Sequence, residues 1–197
     1  VKDPILAQAL ASHTSNLMLL PLVWGLWRLG RQRFPWGQCP LVKGLGVTLM
    51  AMLTLFPLVY LAAEINREWA VHLHIHTPHP MLEYLKQSTT GPGPFLAVAL
   101  GACLVVPAAE ELLFRGLWQG AMEKQLGVAA SLTIPSLLFA AAHPAETHLP
   151  MFVLALALGF LTRLSGSLLP GIFLHMMFNG LSVADVALER FALPWPT

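Results

Sequence analysis

Residues 107–115, Pro-Ala-Ala-Glu-Glu-Leu-Leu-Phe-Arg, place two adjacent carboxylates and an arginine within a long apolar stretch. The run Phe95 to Val106 before them is apolar, and mostly apolar residues follow them. A charged side chain at the centre of a membrane helix costs about 2.5–3.5 kcal/mol on insertion scales. Because charged residues are costly in this setting, we expect Glu110, Glu111 and Arg115 to be kept for a function. The stretch therefore predicts both a membrane helix and a functional site.

The composition of the whole chain also indicates a membrane protein. Of its 197 residues, 56% are hydrophobic and only 11% are charged, and the mean hydropathy is +0.65. A soluble domain carries roughly 25% charged residues. Since a spanning segment must satisfy its own backbone hydrogen bonds, we predict an all-α, polytopic membrane helix bundle. The net charge of +1 does not suggest a nucleic-acid partner, and Cys39 and Cys103, in unlike settings, are predicted to be free thiols.

Six membrane spans are predicted when about 20 apolar residues are taken as one crossing. The six are Ile5–Leu29, Leu45–Ala63, Phe95–Met122, Val128–Ala142, Leu149–Leu164 and Leu168–Leu188. Pro107 is expected to kink or weaken the third span. The connection Glu64–Pro94 is polar and is predicted to contain a short surface helix at Pro80–Gln87. The whole chain, 1–197, is therefore predicted to be a single transmembrane domain.

The positions of Lys and Arg predict the orientation, because cytoplasmic loops carry an excess of both. The loop Arg28–Lys43 is the most basic and is predicted to be cytoplasmic. The inner side then holds Arg28, Arg31, Arg33, Lys43, Lys124 and Arg163, and the outer side holds Lys2, Arg67, Lys86 and Arg190. The expected location is the plasma membrane. Because the chain starts at Val1 rather than Met, we expect a trimmed or processed product.

The polar residues inside the apolar spans fall into three sets, and the first is in the opening stretch. Residues four apart share a helix face, so Glu111 is predicted to pair with Arg115. Glu110 is turned about 100° away and is left free to face a cavity. A charge pair at a helix end near the lipid headgroups would explain the same residues without any chemistry.

The other two sets lie on later spans. Phe139 and His143 are four residues apart at the end of the fourth span, and His175 and Asn179 are four apart inside the sixth. Taken singly, such groups also fit an interfacial histidine or hydrogen bonds between helices. Together with Glu110 they suit attack by water on a carbonyl, with the carboxylate as base and His and Asn as donors to the oxyanion. By residue count, however, His143 falls near the outer end of its span, whereas Glu110 and His175 fall near the membrane middle.

The three sets also resemble a known family. The stretch 110–115, EELLFR, resembles the EExxxR motif of the CAAX protease and bacteriocin-processing family, also called CPBP or Abi proteins. Residues 139–143, FAAAH, and 175–179, HMMFN, resemble its FxxxH and HxxxN motifs, in the same order. The resemblance covers about Pro94–Leu188 and makes 94–188 the expected catalytic core. It implies an intramembrane endopeptidase similar to the type II CAAX prenyl endopeptidase, with a membrane-associated or prenylated peptide or protein as substrate.

The resemblance further implies a role for each motif residue. Glu110 would be the general base that activates water, helped by His143. His175 and Asn179 would hold the oxyanion. The remaining motif residues would orient and support the site: Glu111, Arg115 and Phe139.

The family is also described as a metalloprotease. Glu110, His143 and His175 could in principle hold zinc with an open position. A glutamate mechanism without a cofactor accounts for the same residues and is the favoured expectation. Two other classes stay open: a non-catalytic membrane protein that gives immunity by binding a peptide or partner, and a transporter. The lack of evident internal repeats disfavours the transporter.

Overall fold

The structure is a computed structural model that describes residues 39–76, 80–87 and 92–191. All regular elements in these ranges are helical. The α-helices are α1 (Leu41–His72), α2 (Pro80–Gln87), α3 (Pro92–Leu100), α4 (Val106–Glu111), α5 (Gly120–Ala141), α6 (His148–Ser165) and α7 (Leu169–Phe191). Two π-helical stretches, Gly101–Val105 and Leu112–Gln119, connect α3 to α4 and α4 to α5, and a 3₁₀ turn, Ala145–Thr147, precedes α6. The predicted first span, Ile5–Leu29, lies outside the described residues.

Within the described ranges, four helical stretches are long and apolar enough to cross a membrane. They are Val42–His72, Gly93–Ala141, Ala145–Ser165 and Leu169–Phe191. The predicted all-α membrane bundle is therefore confirmed for this part of the chain, and the protein is an integral, multi-pass membrane protein. The stretch Gly93–Ala141 has 49 residues. As one straight helix it would be roughly 74 Å long, more than twice the hydrocarbon thickness of a bilayer.

The chain folds back within this stretch at Gly127. The backbone there has φ 80° and ψ 177°, a conformation that glycine adopts without the steric cost of a Cβ. The rings of Phe114 and Phe139 lie 5.2 Å apart, whereas a continuous helix would separate them by roughly 37 Å. The stretch is therefore a hairpin, and its two arms correspond to the predicted third and fourth spans.

One predicted boundary is wrong. We expected a polar connection from Glu64 onwards, but α1 continues as a helix to His72. Ala62, Asn66 and Ala70 fall on one face at helical spacing, and the two alanines are buried. Because that face packs against the chain leading into α6, tertiary contact overrides the polar composition. The short helix Pro80–Gln87 is confirmed with its predicted bounds.

Pro107 distorts the third span as predicted. It is the second residue of α4, and α4 directly follows the π-helical stretch Gly101–Val105. Proline has no N–H, and its ring crowds the carbonyl one turn earlier, so a regular α-helix cannot run through it. The wider π-helical turn accommodates the mismatch.

Candidate functional site

The hairpin brings the first two motifs to the same level. Glu110 lies 17 residues before Gly127 and His143 lies 16 residues after it. Both are therefore roughly 25 Å from the turn when measured along their own arms. Since the returning arm, 128–141, is short, His143 lies at about the same depth as Glu110. The difference in depth that residue counts predicted between these two residues is therefore absent.

Glu111 is the fully buried centre of a polar cluster. Its Oε1 accepts hydrogen bonds from Arg115 Nη1 at 2.9 Å and from His175 Nδ1 at 3.0 Å. Arg115 is also buried, and its Nη2 donates to the carbonyl of Ala155 on α6 at 2.9 Å. The ion pair predicted from the four-residue spacing is therefore present. It joins three helices, because Glu111, Ala155 and His175 lie on α4, α6 and α7.

Glu110 faces the same cluster from its more accessible side. Its side chain is 20% exposed, and its Oε2 lies 3.7 Å from His175 Nε2, which is too long for a hydrogen bond. Within the part of the chain that the structure describes, this oxygen has no hydrogen-bond partner. Because a carboxylate only accepts, His175 must carry a proton on Nδ1, the atom bonded to Glu111, and its Nε2 is directed towards Glu110.

Phe139 packs the motif side chains together. Its ring is fully buried, with its centroid 4.6 Å from that of His143 and 5.6 Å from that of His175. The Cζ atom of Arg115 lies 4.9 Å from the same centroid, which is cation–π distance. A single aromatic ring therefore contacts one residue of each of the three motifs.

His143 lies just after α5, in the half-buried connection to α6. Its Nδ1 lies 2.7 Å from the carbonyl oxygen of Phe139. A carbonyl only accepts, so Nδ1 carries the proton and Nε2 of the neutral ring keeps its lone pair. Burial lowers the pKa of His143 below its usual range, the hydrogen bond to the Phe139 carbonyl opposes this shift, and the nearby His175, His148 and Arg115 add to it. The neutral ring therefore presents Nε2 as a hydrogen-bond acceptor.

Asn179 is held one helical turn beyond His175. Its Nδ2 donates to the carbonyl of Ala102 at 2.9 Å. In the π-helical register, Gly101 accepts from Val106, so the Ala102 carbonyl faces Pro107, which has no N–H. The Asn179 amide takes the place of that missing donor and keeps a second N–H. Among the described residues, no hydrogen bond joins Asn179 to the Glu110 carboxylate.

Gln119 extends the Glu111 and Arg115 face by one more turn, and the sequence analysis missed it. Its side chain is buried, and its Nε2 donates to the carbonyl of Gly159 at 3.0 Å. A Cβ on Gly159 would lie 2.8 Å from Gln119 Oε1, so a larger residue there would displace the end of the Gln119 side chain. The signal was available, because a glutamine four residues after Arg115 in an apolar helix shares its face.

A second set of missed residues surrounds the other oxygen of Glu111. Glu111 Oε2 and Thr162 Oγ1 are both buried without a hydrogen-bond partner within the described ranges. A Cβ on Gly171 would lie 3.4 Å from the first oxygen and 3.1 Å from the second. Gly171, one turn before His175, therefore lets α7 approach the buried carboxylate. Nothing in the local sequence marks Thr162 as its neighbour.

The zinc ligands named from the sequence do not form a ready metal site. Across the residues that the structure describes, no group of three or more His, Cys, Asp or Glu is arranged to hold a metal ion. The Nδ1 atoms of His143 and His175 are already bonded to Phe139 and Glu111. Whether the protein works without a metal stays a prediction.

Comparison with known proteins identifies the segment that carries the site. Residues 92–181 match the sequence model of a family described as Rce1-like, type II CAAX prenyl endopeptidase Rce1-like. This segment is similar to the Rce1-like family. Searches of curated proteins and of solved structures give no match. The Rce1-like segment runs from α3 into α7 and includes all three motifs, but not α1 or α2. The description of that family names a prenyl endopeptidase, an enzyme that cleaves peptide substrates.

Proposed function

We propose that the protein is an intramembrane endopeptidase that hydrolyses a peptide bond of a membrane-associated or prenylated substrate with water activated by Glu110. One observation carries the proposal: Glu110 Oε2 is buried without a partner among the described residues and lies 3.7 Å from His175 Nε2. The charges of Glu111 and Arg115 are, by contrast, paired with each other. Glu110 is therefore the carboxylate of the cluster that is available to take a proton.

In the proposed reaction, Glu110 removes a proton from water as the water oxygen bonds to the scissile carbonyl carbon. The electrons of the C=O π bond move to the carbonyl oxygen, which becomes the oxyanion. Glu110 then gives its proton to the leaving nitrogen as the C–N bond breaks, which yields a carboxylic acid and an amine. The free Nε2 of His143 accepts a hydrogen bond from the attacking water and keeps it in place.

The oxyanion requires donors, and the hydrogen bonds limit how His175 acts as one. Its Nδ1–H is bonded to Glu111, so Nε2 donates only when the ring carries a second proton. We assign the second oxyanion donor to the remaining N–H of Asn179.

The test compares the wild-type protein with Glu110→Gln in lipid vesicles. The substrates are a fluorogenic peptide ending in a farnesylated cysteine tetrapeptide and the same peptide without the lipid. Wild type should cleave, and Glu110→Gln should bind but lose cleavage by about 10²-fold or more, because it keeps the shape of the side chain and loses the base. Glu189→Gln, a change at the exposed end of α7, is the matched control and should cleave normally.

Other outcomes of this experiment favour the alternatives. A wild-type protein that binds these peptides without cleaving them would support a non-catalytic binding or immunity protein of the same fold. If Glu110→Gln cleaves at a rate comparable to that of the wild type, Glu110 is not the base. Glu111 or a metal-bound water then becomes the leading candidate.

A further inference from the structure

The side chain of Asn66, on α1, hydrogen-bonds the connection that carries His143. Asn66 Nδ2 donates to the carbonyl of Ala145 at 3.2 Å, and its Oδ1 accepts from the backbone N–H of Leu149 at 2.8 Å. Asn66 lies outside the Rce1-like segment, in a part of the chain where the sequence showed no motif. A single amide thus bonds both ends of residues 145–149.

These bonds supply the N-terminal cap of α6 from another helix. The first N–H groups of an α-helix have no partner within it, and a side-chain oxygen normally accepts from its second or third residue. Thr147, in the capping position of α6, makes no such bond, because its hydroxyl donates to the carbonyl of Pro144 at 2.8 Å. The oxygen that caps Leu149, the second residue of α6, comes from Asn66 instead.

The segment 145–149 is in turn hydrogen-bonded to His143. His148, between the two residues that Asn66 holds, donates from Nε2 to the carbonyl of His143 at 3.0 Å. His143 itself follows the end of α5, and its ring is bonded through Nδ1 to Phe139. The backbone of His143 is therefore held from two sides: its N–H donates to the Ala140 carbonyl at 3.0 Å, and its carbonyl accepts from His148 in the segment 145–149.

We propose that Asn66 is a positioning residue for His143: it holds the segment 145–149, through which His148 fixes the backbone of His143 beside Glu110. This rests on the proposed function, in which His143 positions the attacking water. The site is then completed by α1, a helix that the Rce1-like segment does not include.

The first test does not depend on activity. Hydrogen–deuterium exchange is measured on wild type and Asn66→Ala in lipid nanodiscs without substrate. The amide of Leu149 donates directly to Asn66, so exchange of peptides covering 145–149 should become faster in the variant while that of 128–141 stays unchanged. Unchanged exchange across 145–149 would overturn the proposal.

The second test measures peptide cleavage and asks whether Asn66 acts through His143. Asn66→Ala should lower kcat by roughly 10- to 100-fold with KM little changed, as expected for a misplaced catalytic group. In a His143→Ala background the same change should have no further effect, because two residues that act together are not additive. Additive losses would mean that Asn66 supports folding only, and would overturn the assignment.

Thr48→Val is the matched control for the loss of a tether on α1. The hydroxyl of Thr48 approaches the carbonyl of Pro170 at the start of α7 at 3.2 Å, away from the His143 connection. This variant should keep the wild-type kcat, and a loss equal to that of Asn66→Ala would contradict the proposal. A wild type that cleaves no peptide would contradict the proposed function instead, and exchange across 145–149 would still decide whether Asn66 holds the segment.

Discussion

At the residue scale, the site is built from buried charges that neutralise each other, because water does not reach them to solvate them. Glu111 and Arg115 are both buried, and their ion pair is extended by His175 on one side and by the Ala155 carbonyl on the other. A buried charge is tolerated only when it is paired and hydrogen-bonded. The pair itself could be predicted from its spacing, but the part played by His175 could not, because it lies 64 residues away from Glu111.

Arg115→Ala should therefore lower the stability of the protein as well as its activity. Removing one partner of a buried pair costs roughly 3–5 kcal/mol, since the other charge is left uncompensated. Thermal unfolding in detergent measures the loss. The control is Arg163→Ala, which breaks the half-exposed pair with Glu123, where an ion pair is worth about 1 kcal/mol or less. An inactive Arg115→Ala protein with unchanged stability would mean that Arg115 acts in the chemistry or on the substrate.

At the element scale, the π-helical stretch before Pro107 directs Asn179. The Ala102 carbonyl accepts the Asn179 amide because Pro107 offers it no N–H. Pro107→Ala would add a backbone donor that competes with the amide. We expect a helix of equal or greater stability and a loss of cleavage towards that of Asn179→Ala, about 10²–10³-fold for one oxyanion donor.

The control for this prediction is Pro57→Ala, which removes the proline inside α1. It restores an N–H in a membrane helix without touching Asn179, so cleavage should be unchanged. Full activity in Pro107→Ala, together with loss in Asn179→Ala, would show that the amide needs no help from the proline. Initial rates and melting temperatures of the three variants are the measurements.

Two glycines of α7 allow a matched test of helix packing. A Cβ on Gly171 would meet Thr162 Oγ1 at 3.1 Å and Glu111 Oε2 at 3.4 Å, whereas a Cβ on Gly180 would meet nothing within 4 Å. Gly171→Ala should therefore cost about 1–3 kcal/mol through overpacking and reduce cleavage. Gly180→Ala should keep or raise stability by up to about 1 kcal/mol, the helix preference of alanine over glycine. Equal melting temperatures and rates for the two variants would contradict this account.

At the scale of the whole molecule, the basic residues named below form two groups, one near each end of the bundle. Arg163 pairs with Glu123 close to the hairpin turn. Lys86 pairs with Glu189, and Arg190 donates to the carbonyl of Leu85 at 2.9 Å, towards the other end. These residues divide between the two ends in the same way as the two sets of basic residues expected from the sequence.

Cysteine labelling of intact cells measures that orientation. In a parent with Cys39→Ala and Cys103→Ala, Arg31→Cys should resist a membrane-impermeant thiol reagent, because the loop Arg28–Lys43 is predicted to be cytoplasmic. His76→Cys should react, since the His76 side chain is 96% exposed. Labelling after permeabilisation is the control for reactivity. The reverse pattern would overturn the orientation without changing the fold.

Chelation tests the metal requirement of the complete protein. Hydrogen bonds to Phe139 and Glu111 hold His143 and His175 without a cation, so strong chelators should leave peptide cleavage nearly intact. Metal analysis of the purified protein is done in parallel. Stoichiometric zinc, with activity that chelators abolish and zinc restores, would establish the metal mechanism instead.

The sequence by itself determined that this is a helical membrane protein with three polar motifs. Hydropathy, the cost of buried charge and the pairing of residues four apart are local properties, so a single segment reveals them. The pairing of Glu111 with Arg115, the distortion at Pro107 and the helix Pro80–Gln87 were predicted on that basis. The end of α1 was not, because packing of Asn66 and its neighbours prolongs the helix through polar residues.

Only the tertiary structure decided how the motifs meet. The turn at Gly127 places His143 at about the same depth as Glu110. The rotation of α7 directs His175 to Glu111, and it directs Asn179 to the Ala102 carbonyl, for which Pro107 has no N–H. Asn66 reaches its partners across about 80 residues of chain. These contacts depend on how helices turn and tilt against one another. No local sequence pattern encodes those angles, because a helix in this chain can bury about the same amount of apolar surface at several different angles to its neighbours.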